Sequence, residues 1–267
     1  MSENFGGCTN SITIKNNLDK ISPTFCPSKW LQFNLYLHTG VTSSCCYASV
    51  HKVDSSDIVN NPLVIHNSPK KILERNAMID GEQSPECSMC WNVENYSDTP
   101  SERITQSNAY KNYNFDELIS QSNVVPQIIS IAFDTLCNFK CVYCDQSQSS
   151  SWESDIKRHG GYNLKTDSKY NNNFDFDTLD SKQYDLIYNA LKEVIVNYKD
   201  TITELNFLGG EPTMSPKMWD FLDSIKEIKF DNTSLSMVTN LGQEKLVRKM
   251  INCTSNFKSL QFKISID

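Results

Sequence analysis

The sequence lacks any apolar run of the roughly 18 to 20 residues that a membrane span requires. Its start, Met1 to Cys8, has neither the basic segment nor the apolar stretch of a secretory signal. Positive charge is also short: 25 Lys and Arg stand against 32 Asp and Glu, a formal net charge of −7. Phosphate-backbone binding needs a broad basic surface, so nucleic acid is not an expected partner, nor is a membrane. Disorder is excluded by a composition that is 39% hydrophobic and 21% charged. These absences point to a cytoplasmic protein whose thiols stay reduced. The 267 residues suffice for one large domain or two smaller ones.

What the chain does have is cysteine, 10 in all. In a reducing compartment that number calls for something other than disulfides. Most are grouped: Cys45 with Cys46, Cys87 with Cys90, and Cys137 with Cys141 and Cys144, with Cys26 upstream. Grouping of this kind reads as metal or cluster ligation. Cys8 and Cys253 stand alone and read as small buried hydrophobes.

Two regions are expected, 1–105 and 128–267, joined by a polar linker over 106–127. The first has one convincing helix, opened by Ser68 and Pro69, closed by Gly81, with Ile72, Leu73, Asn76 and Ile79 on one face. Trp30, Phe33, Tyr36 and Leu37 read as the core of that region, and Glu94, Glu102 and Arg103 as surface charges. From Ile128 the pattern alternates. Strands are expected at 128–133, 204–208, 235–239 and 262–266, with helices over 181–198, from Ser215 to Ile228, and around Leu246 to Ile251. Alternation of this kind gives an α/β fold with a parallel sheet. The polar stretch 145–180 reads as a loop over the mouth of a site, or as disorder.

Chemistry concentrates at Cys137-Asn138-Phe139-Lys140-Cys141-Val142-Tyr143-Cys144, directly after the first of these strands. Three thiolates can hold three irons of a cubane, leaving the fourth iron without a protein ligand. An open coordination position is the mark of a catalytic rather than a structural metal centre. A zinc site is the competing reading, but no fourth Cys or His lies in the loop, and His159 is the nearest.

This spacing resembles the signature of the radical S-adenosylmethionine superfamily, in which Tyr143 fills the aromatic place. Gly209-Gly210-Glu211-Pro212 after the second strand resembles that family's methionine-binding segment. Asn240 and Ser265, at the ends of the third and fourth strands, match places where the family contacts ribose or carboxylate. The resemblance implies a partial (β/α)6 TIM-like barrel with its first four strands present. It implies a 4Fe–4S cluster on Cys137, Cys141 and Cys144, with S-adenosylmethionine as cofactor. It further implies reductive cleavage to a 5′-deoxyadenosyl radical that abstracts hydrogen from a peptide or small-molecule substrate, with electrons from an external flavodoxin- or ferredoxin-like donor. Tyr143 would face adenine.

Cys26, Gly40, Cys45 and the Cys87-x2-Cys90 pair resemble the auxiliary-cluster domains of the SPASM and twitch type, the shorter twitch form fitting better. The resemblance implies a second 4Fe–4S cluster on Cys26, Cys45, Cys87 and Cys90. Spacing alone also permits a four-cysteine zinc site, and does not separate Cys45 from Cys46. His38, His51 and His66 are not assigned as ligands. Because a radical core has six β/α units, the sequence reads as a fragment ending on its fourth core strand. A non-catalytic iron–sulfur carrier and a tRNA-modifying enzyme are the competing functions.

Overall fold

The computed structural model describes residues 6–54, 56, 58–110, 113–161 and 178–266. All its described strands belong to one sheet. β1 (Gln32–Tyr36), β2 (Val41–Ser43) and β3 (His51–Lys52) come from the first region, and β4 (Ile128–Ala132), β5 (Glu204–Leu208), β6 (Phe230–Thr239) and β7 (Phe257–Ile264) from the second. The order across the sheet is β3-β2-β1-β4-β5-β6-β7. The N-terminal region, expected to stand as a small domain of its own, thus adds three strands to the core sheet. The cause is the run Phe33 to Leu37, whose apolar residues bury on the same face as Ile129 and Ile131, with β1 pairing parallel to β4 from Gln32↔Ile128 to Tyr36↔Ala132.

Helices α1 (Gly6–Asp19), α2 (Ser28–Leu31), α3 (Pro69–Ile79), α4 (Ser88–Tyr96), α5 (Glu102–Ser107) and α6 (Phe115–Ile119) surround the N-terminal strands. They gather a core of their own around Leu18, Phe25, Trp30, Met78, Trp91 and Tyr110. The helix begun by Ser68 forms as the capping chemistry requires, its hydroxyl accepting from the Lys71 N–H. Its buried face is not the expected one. Lys71, Arg75 and Met78 point inward and Leu73 is 69% exposed, the two cations lying over the Phe33 and Trp30 rings while their polar ends reach Thr42 and Asn67.

After β4 come α7 (Ser150–His159), α8 (Ser181–Asn197), α9 (Pro216–Ile225) and α10 (Glu244–Cys253). Helix α7 lies inside the stretch expected to be loop, and 162–177 lies outside the described residues. The lone Cys253, expected to be buried, is exposed at the end of α10. Helices α8 and α9 and Met250 of α10 cover the face presenting Ile129, Ile131, Leu205, Phe207, Leu235 and Met237.

Successive strand residues alternate between faces, so the opposite face carries what lies between those apolar positions. There the register lines up Ser43, Asn34, Ser130, Asn206, Ser236 and Gln261 in one row across six strands. A face with a transverse row of amides and hydroxyls is built to meet polar groups, not a second apolar layer.

Candidate active site

Strand β4 ends at Ala132, and the loop beyond it is fixed at both ends before it reaches the cysteines. Asp134 accepts from the Leu136 N–H at 3.0 Å and from the hydroxyl of Ser215, the cap of α9. Cys137, Cys141 and Cys144 follow, each partly exposed, each a free thiol. The Phe139 N–H points at the Cys137 sulfur, 3.4 Å away. Burial pushes the Cys144 thiol up, and the charges of Asp145 and of the Cys137 and Cys141 sulfurs push in the same direction.

The cap and first turn of α7 clasp this loop, which the sequence did not announce. Ser151 Oγ donates to the Cys137 carbonyl at 2.7 Å, and Cys137 N–H donates to Ser150 Oγ at 3.1 Å. Ser149 Oγ donates to the Phe139 carbonyl at 2.9 Å while also capping α7, and Trp152 Nε1 donates to the Cys141 carbonyl at 3.0 Å. Lys140 pairs with Asp155 at 2.7 Å. The available signal was Ser149 as an N-cap ahead of Glu153, a start pattern inside a stretch that otherwise reads as loop.

The segment after β5 meets the same loop. Gly209 sits at φ +106°, in the region that side chains avoid. A Cβ on Gly210 would lie 2.3 Å from the Leu136 carbonyl oxygen, so bare backbone is what allows the two loops to touch. The Glu211 N–H donates to that same carbonyl at 2.6 Å. Its carboxylate is buried, accepting from the Thr213 hydroxyl at 2.7 Å, the Thr239 hydroxyl at 2.8 Å and the Asn240 N–H at 2.8 Å. Glu211 thus braces the strand ends; all three of these donors belong to the protein. Pro212 opens the buried turn behind it.

Asn240 reaches back to the cysteine loop, donating from Nδ2 to Asn138 Oδ1 at 3.0 Å. Ser265 donates its N–H to the Thr239 carbonyl at 2.9 Å, which holds it at the same end of the sheet. Phe139, Val142, Tyr143 and Leu241 expose apolar surface around this mouth, Tyr143 by 56%. Beside it lies a cavity of about 710 Å3, bordered by Tyr36, His38, Thr135, Gln146, Glu153 and Lys157.

A second set of thiols meets elsewhere. Cys26, Cys45, Cys87 and Cys90 border one small cavity with Trp91 and Arg103, while Cys46 is exposed and does not border it. Burial and the neighbouring Cys87 and Cys45 sulfurs push Cys26 up to about 12, and burial pushes Cys87 up to about 11. Thiols this hard to ionise bind metal only as it displaces their protons. Arg103, expected at the surface, is buried and holds Glu94 at 2.6 Å. His66 is buried against the Trp30 carbonyl at 2.6 Å, and His51 faces Ser68 at 3.2 Å.

Among the described residues, no three His, Cys, Asp or Glu side chains converge as ligands of a single ion. A cubane asks for a different arrangement, one thiolate for each iron. Free thiols on one strand-end loop fit that requirement. No described helix is long and apolar enough to cross a membrane.

Residues 133–264 match the family model of the Radical SAM superfamily. The match spans just under half of the chain, from the residue after β4 to the end of β7, and includes the cysteine loop and Gly209 to Pro212. It supports a radical SAM enzyme in general terms, and that family implies a 4Fe–4S cluster and S-adenosylmethionine. No curated protein and no solved structure gives a match.

Proposed function

We propose that the chain is a radical S-adenosylmethionine enzyme of the cytoplasm acting on a peptide or polar small molecule. Cys137, Cys141 and Cys144 would hold its 4Fe–4S cluster and Cys26, Cys45, Cys87 and Cys90 an auxiliary one. When bound, the first cluster supplies the electron that cleaves S-adenosylmethionine to the 5′-deoxyadenosyl radical, which takes hydrogen from the substrate.

The chain's own residues do the positioning. The hydroxyls of Ser149 and Ser151, the Ser150 oxygen and the Trp152 indole fix the backbone of the cysteine loop, so the thiols are presented without rearrangement. Glu211 and Asn240 keep the ends of β5 and β6 registered against that loop. The apolar rim of Phe139, Val142, Tyr143 and Leu241 offers a surface for an adenine ring and for excluding water. The row from Asn34 through Ser130 and Asn206 to Ser236 favours a substrate rich in amides or hydroxyls. A small one-electron carrier would deliver reducing equivalents.

The carrying observation is a set of three neighbouring free thiols, clasped at the end of a parallel strand, inside a segment that matches the superfamily. The test is anaerobic reconstitution followed by dithionite and S-adenosylmethionine. Release of 5′-deoxyadenosine that disappears in Cys141→Ala supports the reading. Release that persists in that variant defeats it.

A further inference from the structure

A buried cation borders the four-cysteine cavity, and folding economy does not explain it. Burying an ion pair is at best neutral against apolar residues of the same size, so cations placed this deep ask for a reason. Arg103 is 2% exposed and borders the cavity itself. Its Nη1 donates at 2.9 Å to the carbonyl of Phe25, the residue before Cys26. Its guanidinium carbon lies 5.4 Å from the ring centre of Trp91, the residue after Cys90. Nε and Nη2 are taken by Glu94 at 2.8 and 2.6 Å, and Glu94 does not border the cavity. Arg103 therefore stands nearer the thiols than Glu94 does, with the Glu102 side chain also bordering the cavity.

Lys29, also buried, does not border the cavity, and carboxylates hold its ammonium. It is 2% exposed, bonded to Glu86 at 3.1 Å and to Glu74. A centre ligated by four thiolates is anionic and becomes more so on reduction, and its potential follows local charge and solvent exposure.

We propose that Arg103 is the counter-ion of a thiolate centre at Cys26, Cys45, Cys87 and Cys90 and raises its midpoint potential, with Glu94 moderating the effect from behind. The proposal rests on reading those cysteines as an auxiliary cluster. It gives the centre an easily reduced state, suited to accepting an electron inside the protein.

The experiment uses the full chain carrying Cys137→Ala, Cys141→Ala and Cys144→Ala, so that only the second centre remains. After reconstitution with iron and sulfide, iron content is measured and an EPR-monitored redox titration run. Arg103→Gln is expected to move the midpoint to lower potential. Glu94→Gln, which removes the negative charge and leaves one acceptor oxygen for Arg103, is expected to move it higher. Arg103→Lys, which keeps the charge, is expected to stay near the parent. Opposite shifts in Arg103→Gln and Glu94→Gln support the proposal, as does iron loading lost in Arg103→Gln but kept in Arg103→Lys. Should Arg103→Gln not fold, the Glu94→Gln shift decides alone. Shifts of the same sign, or none, overturn the counter-ion role. A parent that takes up zinc or no iron refutes the auxiliary cluster beneath it.

Discussion

The carboxylate of Glu211 accepts the Thr239 hydroxyl proton at 2.8 Å, and through that bond the loop after β5 is locked to the end of β6. The neighbouring Asn240 N–H completes the brace at 2.8 Å, and Asn240 in turn holds Asn138 in the cysteine loop. Three segments far apart in sequence are thereby joined by one buried acid.

Glu211→Gln should expose how much depends on that acid. Its carboxylate only accepts hydrogen bonds, whereas an amide must turn one N–H toward a donor. We expect a loss of about 1 to 3 kcal/mol in urea denaturation, the cost of a buried polar group left unsatisfied. S-adenosylmethionine binding should weaken with it. An unchanged midpoint would mean the brace carries no stability.

Gly210→Ala places a methyl group where the Leu136 carbonyl stands, since the added carbon would lie 2.3 Å from that oxygen. The cysteine loop must move, at a cost of about 1 to 3 kcal/mol. Denaturation should show the loss, and the iron retained by the first cluster after desalting should fall. Full retention would show that the loop yields freely.

Cys45 and Cys46 should part company. Cys45 borders the cavity with Cys26, Cys87 and Cys90, and Cys46 does not. Cys46→Ala is expected to keep the parent's iron content, and Cys45→Ala to lose the auxiliary share of it. The reverse pattern, read by a colorimetric iron assay, would assign the ligand to Cys46.

Acid should destabilise the fold through its buried histidines. Burial, aided by Lys71, lowers His51 to about 4 from its ordinary 6.5. As pH falls from 6.5 toward 4, the unfolded chain binds a proton the folded chain refuses. Stability is therefore unaffected by this group above 6.5 and declines through the window below, by less than the whole shift implies because His51 is half-buried and solvent screens its charge. Urea melts at pH 7 and 4.5 should show the decline, and His51→Gln should shrink it. An identical decline in the variant would place the proton uptake elsewhere.

Much of the core was legible because its elements obey local rules. Glu204–Leu208 is bounded as the apolar run requires, and α9 starts where Ser215 and Pro216 put it. The cysteine loop was legible because three thiols in eight residues have few other uses. What stayed hidden depends on distant partners. Gln32–Tyr36 is too short to announce that it pairs with Ile128–Ala132 rather than standing in a small domain. Arg103 read as surface charge, and nothing local to it, to Lys29 or to Arg75 reveals the Glu94, Glu86 or Asn67 that they meet once buried. Ser149 to Trp152 read as loop because polar composition outweighs one good cap.

The central claim is that Cys137, Cys141 and Cys144 hold a cluster whose remaining iron is open to S-adenosylmethionine. The direct measurement is EPR of the dithionite-reduced protein carrying Cys26→Ala and Cys87→Ala, recorded with and without S-adenosylmethionine. The account predicts a 4Fe–4S signal whose g-values shift when the cofactor is added and which vanishes with Cys141→Ala. A reduced cluster whose spectrum ignores the cofactor, or a site that takes up zinc alone, would contradict it.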